Sequence, residues 1–237
     1  MNANALTGVW TALSETSPFS LTLTMMAYTL SLWIYKRCNH SVWASPTSLT
    51  IVMVALFLGI TRIPYPKFFE GAQFIHFLLG PATVALAVPL FAHRKRLANM
   101  AFPLCVALLA GSATAAGSAM LIAEFLGASR EVVLSIAPKS ATSPIAMGIA
   151  ERIGGIPSLT AVFVVITGTA GAVGFPFLFK LMKPDDPAAE GFAVGLTSHG
   201  FGTARALLIS EEMGAFSALG MGLNGILSAV ILPLIFR

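Results

Sequence analysis

Charge is what this chain has least of. Its 237 residues include 14 Lys or Arg and 10 Asp or Glu, 10% of the total, where a soluble domain carries about 25%. That shortage excludes a water-soluble globule with an ordinary surface. The net charge of +4 sits in short loops, which excludes the basic stripe a nucleic-acid binder needs. Cysteine is nearly absent as well. Cys38 lies in a basic loop and Cys105 in an apolar run, so no disulfide framework is expected and neither thiol has a companion for a metal. The segment before Pro18 has no Lys or Arg, which argues against a cleaved signal peptide.

What the chain has is apolar length. Hydrophobic residues make up 56% and the mean hydropathy is +0.83. Stretches 16–35, 41–61, 71–92, 97–123, 153–179 and 213–236 contain no Asp, Glu, Lys or Arg. Each is close to or beyond the ~20 residues that a membrane-crossing helix requires. The spacing predicts helices over 18–35, 46–61, 72–92, 97–124, 157–181 and 214–236, with IPYPKFFEG at 63–71 as a hinge. Basic residues gather at Lys36-Arg37, Arg94-Lys95-Arg96 and Lys180/Lys183. The positive-inside rule then puts the N-terminus outside and the 36–40 and 93–96 loops in the cytoplasm of a bacterial inner-membrane, multi-pass protein. The run GSATAAGSA at 111–119 marks close helix packing, since lipid offers no hydrophobic drive for association.

Two segments break this pattern. SREVVLSIAPKSATSPIAMGIAER places Lys139, Pro138 and Pro144 inside an apolar run, and EGFAVGLTSHGFGTARALLISEE does the same with His199, Gly200, Gly202 and Arg205. Charge inside a membrane costs about 2.5–3.5 kcal/mol on insertion scales and marks a pathway or ligand site. Irregular backbone at that depth survives only within protein or beside a water-filled cavity. The fold expected is therefore all-α: a polytopic transmembrane bundle, one integral membrane domain over 1–237, with two interrupted helices, broken or re-entrant. An offset of 60 aligns Lys139 with His199, Glu151 with Glu211 and Gly154 with Gly214, a faint inverted repeat with halves near 97–155 and 157–215. If both segments cross, helices 97–124 and 157–181 run parallel; if both dip and return, they run antiparallel. The sequence admits either.

The breaks also carry the chemistry. Pro144 suits the first helical position with Ser143 as N-cap, and a helix N-terminus attracts anions. Lys139 adds a full charge, with Ser140 and Thr142 beside it. In the second break Gly200 and Gly202 permit the interruption, Thr203 is placed to cap the next half-helix, and Arg205 falls in its first turn. A guanidinium there favours an anionic partner, which it can grip bidentately. His199 and the buried Asn224 complete the set. Each residue also has a plainer reading: Lys139 can snorkel, Arg205 can pair with Glu211 or Glu212, His199 can bond a backbone carbonyl, and Asn224 can bond across helices. His76, alone on an apolar face, reads as packing. Gly220-Met221-Gly222-Leu223-Asn224-Gly225 matches a dinucleotide fingerprint by letter but lacks the preceding strand. Ser198-His199 has no orienting acid and no elbow motif, so no enzyme is expected. No cofactor or metal is expected either.

The strings LLGPATVALAVPL (78–90), PKSATSPIAM (138–147), HGFGTARA (199–206) and GAFSALGMGLNGILSAVILP (214–233) resemble the LrgB/CidB family of membrane proteins over about 45–237. The resemblance implies two functional descriptions. One is an antiholin-like regulator of murein hydrolase activity and autolysis, acting with a small LrgA/CidA-type membrane partner. The other is a carrier of small monocarboxylates such as glycolate, glycerate, pyruvate or lactate. The residues favour the carrier, proton-coupled through His199, because a pore-former or its inhibitor needs no buried Lys, Arg and His beside broken helices. A homo-oligomer is compatible with either description.

Overall fold

The computed structural model describes residues 17–38, 44–85 and 87–236, and every element among them is an α-helix. The first 16 residues and 39–43 lie outside the described residues, so the expectation on a signal peptide falls there. The chain parts after Ala85 into two compact units.

The first unit holds α1 (Ser17–Arg37), α2 (Pro46–Thr61) and α3 (Tyr65–Ala85). Pro46 opens α2, where a missing N–H costs nothing, and Arg62 closes it in the left-handed conformation at φ 56°. The stretch expected to hinge is helical from Tyr65, because Pro66 falls in the first turn, which needs no N–H from it. Ser31, fully buried, donates to the Ala27 carbonyl at 2.8 Å and accepts the Thr50 hydroxyl at 3.1 Å, a polar tie from α1 to α2. An apolar cleft of about 930 Å³ beside them is lined by Leu21, Met25, Trp33, Met53 and Phe57 among others, without an ionisable side chain. It is a poor place for an anion.

The second unit runs α4 (Ala87–Ala92), α5 (Arg94–Phe125), α6 (Arg130–Ile136), α7 (Ser143–Ile153), α8 (Pro157–Met182), α9 (Pro187–Ile209) and α10 (Glu211–Ile235). Helices α5, α8 and α10, of 32, 26 and 25 residues, are long and apolar enough to cross a membrane; at 1.5 Å per residue each exceeds the ~30 Å hydrocarbon core. Their outer faces leave Phe102 80%, Phe125 91% and Leu181 80% exposed, a surface suited to lipid rather than water. The interior is polar in places: Thr160, Ser198, His199, Thr203, Arg205, Ser217 and Asn224 are all buried.

Helix α9 folds back on itself at His199, whose φ of 40° and ψ of −131° leave the helical region. Before the turn the chain runs parallel to α10, with Gly191 against the Met213 backbone, Gly195 against that of Ser217, and Gly220 against Phe192. After it the direction reverses, with Gly200 near Met221, Thr203 at Ser217 and Leu207 against Gly214. A Cβ at Gly191 or Gly195 would fall on a backbone carbonyl oxygen of α10, so glycine sets the closeness of this packing. The starts of α9 and α10 are both capped. The Asp186 carboxylate accepts from the Ala188 N–H at 2.9 Å, and the Ser210 hydroxyl, alone between α9 and α10, accepts from the Met213 N–H at 3.1 Å.

Candidate functional site

The two irregular segments meet at one side chain. Asn224, on α10, donates from Nδ2 to the Ser140 carbonyl at 3.0 Å and to the Leu196 carbonyl at 3.1 Å. Its Oδ1 accepts the Ser112 hydroxyl of α5 at 2.6 Å. Leu196 lies in the last turn before the reversal in α9, and Ser140 in the turn between α6 and α7. Carbonyls at such places lack regular helical partners and are costly to bury bare. One amide satisfies both.

The first break is held by its own neighbours. Pro138 is fully buried, and turns close from Lys139 N–H to Ile136 at 3.1 Å and from Ala141 N–H to Pro138 at 2.9 Å. Lys139 is half-buried, and its Nζ donates to the Ser140 hydroxyl at 3.4 Å. The N-cap of α7 is Thr142 rather than Ser143, and Thr142 makes no side-chain cap bond. Pro144 therefore sits one residue further into the first turn, where it still needs no N–H. Ser135 secures the other end of this segment: its hydroxyl accepts the Ile156 N–H at 2.7 Å and its carbonyl accepts the Thr160 hydroxyl at 2.9 Å.

In the second break the residue that reverses the chain is His199, not the neighbouring glycines. Gly202 serves packing instead, admitting Val194 and Ser198 where a Cβ would meet them at 2.6 and 2.7 Å. The His199 ring is buried with Nε2 3.0 Å from the Val164 carbonyl of α8, and Phe201 stands edge-on at 5.6 Å. A carbonyl only accepts, so Nε2 carries the proton. Gly168 makes room for this ring, as a Cβ there would come within 2.5 Å of Cε1, and Gly171 likewise receives Ser198. Thr203 does not cap a half-helix: its hydroxyl donates to the His199 carbonyl at 2.8 Å, so the Ser217 hydroxyl donates to it at 2.9 Å. Gly200 is exposed at the turn, while Arg205 is buried at 7% exposure. Ser112, Val164, Gly168 and Ser217 are structural partners that the residue pattern did not single out.

These strings belong to a known group. A profile of the LrgB-like family matches residues 24–237. The chain belongs to that family. YwbG of Bacillus subtilis is 34% identical over 214 residues, covering 90% of this chain and 95% of YwbG. A Haemophilus influenzae protein is 34% identical, over 91% of this chain and 93% of its own length. The holin-like protein CidB of Staphylococcus aureus is 28% identical, over 90% and 95%. No solved structure matches. As a family member with three helices among the described residues fit to cross a bilayer, the chain is a membrane protein.

Proposed function

We propose that this protein is a multi-pass carrier of a small monocarboxylate in the bacterial inner membrane. The observation that carries the reading is the junction at Asn224, which brings the Lys139 loop beside the His199 hairpin within an apolar bundle. The ionisable residues of 132–150 and 191–209 are Lys139, His199 and Arg205, with no Asp or Glu in either stretch. Basic groups in the middle of apolar segments suit an organic anion of one charge, and Arg205 offers the planar fork that matches a carboxylate. Hydroxyls of Ser140, Thr142 and Ser143, with the backbone at Gly200, suit the hydroxy or keto group of glycolate, glycerate, pyruvate or lactate. His199 is the candidate for coupling a proton, and Thr203 and Asn224 hold the hairpin that presents it. The test is uptake of labelled pyruvate, glycolate and lactate into proteoliposomes: saturable flux supports the carrier, and its absence under every gradient sinks it.

A second reading has its own support, since relatives at 26–28% identity are named holin-like. On that reading the protein regulates murein hydrolase activity with a small LrgA/CidA-type partner, or as a homo-oligomer. The discriminating result is a change in lysis behaviour in cells from a protein that moves no carboxylate.

A further inference from the structure

We infer that both interrupted segments are re-entrant and enter from opposite faces of the membrane, so that the Lys139 loop is reached from one side and the His199 hairpin from the other. The starting point is Arg96, at the head of α5. Its guanidinium pairs with Asp186 at 2.5 Å and with Glu212 at 2.6 Å. Asp186 caps the start of α9 and Glu212 lies in the first turn of α10. The heads of α5, α9 and α10 therefore share one face.

Helices of this length cannot have their paired ends on opposite sides of a ~30 Å core. Helix α5 leaves the Arg96 face, and α8 returns to it, because only Lys183, Pro184 and Asp185 separate Met182 from Asp186. What lies between them, 126–156, begins and ends on the far face. Helix α9 starts at Asp186 and ends at Ser210, one residue before α10, on the Arg96 face. The packing within α9 agrees: 191–196 runs with α10 and 200–207 against it. Its first arm, 187–198, spans about 18 Å and α7 about 16 Å, each roughly half a bilayer. Both arms then end near mid-depth, where Asn224 joins them. Crossing segments would put Arg96 and Asp186 on opposite faces, which a 2.5 Å ion pair forbids.

Charge follows the same division. The Arg96 face collects Arg94, Lys95, Arg96, Lys180 and Lys183, and the far face Arg130 and Arg152; the richer face is the cytoplasmic one. The offset that aligns Lys139 with His199 then sets tip against tip, with α5 and α8 antiparallel, the arrangement of an inverted repeat. The sidedness rests on ion pairs and packing alone. That the two tips bound one anion site, each opening to its own face, rests on the carrier reading above.

The experiment is cysteine labelling in the full chain carrying Cys38→Ser and Cys105→Ser. Single cysteines replace Ser129, Ser158, Lys95, Asp185 or Glu211, all exposed and outside the packed site. A membrane-impermeant maleimide is applied to right-side-out and to inverted vesicles, with labelling after detergent solubilisation as the reference for each variant. The expected result is that positions 129 and 158 react in one vesicle orientation and 95, 185 and 211 in the other. Reaction of 129 and 158 from opposite sides, or of 185 and 211 from opposite sides, overturns the proposal for that segment. Pyruvate uptake by the same variants is scored separately. A pattern as expected without carboxylate flux in wild type leaves the topology standing and removes the carrier reading alone.

Discussion

Asn224 and Ser140 stand 84 residues apart in the chain and 3.0 Å apart in space, joined amide to carbonyl inside an apolar bundle. The second hydrogen of the same amide goes to Leu196, and its oxygen takes the Ser112 hydroxyl. Three helices and both breaks thus depend on one side chain whose donors are fully used. Asn224 is a positioning residue in this arrangement, and its polar atoms have little capacity left for a ligand.

Removing that amide should loosen both breaks together. Asn224→Ala leaves two buried carbonyls bare, at about 1–3 kcal/mol each, so thermal unfolding of the purified protein in detergent should shift down clearly. Asn224→Asp should be worse than Ala at neutral pH, because a carboxylate oxygen replaces the donor and faces two carbonyl oxygens. An aspartate variant as stable as wild type would show that the two bonds do not hold the breaks.

The glycines separate into those that packing requires and those it does not. At Gly195 a Cβ would fall on the backbone oxygen of Ser217, whereas Gly222 has open space around it. Gly195→Ala should therefore force α9 from α10 and cost about 1–3 kcal/mol or more. Gly222→Ala should be neutral or gain up to about 1 kcal/mol from helix propensity. Melting temperatures of the two variants, measured side by side, give the check; equal values would remove the close-packing account.

His199 holds a backbone conformation that side chains rarely adopt, at a cost of about 1–3 kcal/mol. Both His199→Gly and His199→Ala lose the bond to Val164, but only glycine relieves the φ of 40°. Glycine should thus be the more stable of the two in the same melting assay. If alanine equals glycine, the turn carries no strain.

Much of this architecture is legible in the residues. Apolar runs gave the three long helices to within a few residues at each end, because nothing in them competes with helix. Charged and helix-breaking residues in apolar context marked 138–144 and 199–204 as irregular, where the structure has a turn before α7 over 137–142 and a single non-helical residue at His199. What stayed hidden was direction. The apolar period is the same whether a segment crosses or returns, and the contacts of Arg96 with Asp186 and Glu212, with the packing of α9 on α10, are what favour return. The turn residue was hidden too: glycine is the usual occupant of positive φ, yet here Gly202 is used for packing and His199 makes the turn. Ser112 lay inside a run of small residues whose role in packing was plain but whose one long-range bond was not.

The carrier reading makes its sharpest claim at Arg205, buried on the returning arm of α9. Arg205→Lys keeps the charge and loses the fork, so a bidentate carboxylate contact should weaken while insertion and folding persist. Apparent affinity for pyruvate or glycolate in proteoliposomes should fall about tenfold, the equivalent of one charge-assisted hydrogen bond, with the melting temperature little changed. His199→Gln is the companion variant, because a glutamine amide can still donate to the Val164 carbonyl but cannot bind and release a proton near neutrality. In wild type, uptake should accelerate as external pH falls; in His199→Gln it should occur without that dependence. Lysine transporting as well as arginine at position 205 would reduce that residue to a generic charge. Flux that ignores both pH and His199 would leave the carrier standing and remove only the proton. Lysis altered in cells by a wild-type protein that moves no carboxylate under any gradient would give the function to the regulator instead.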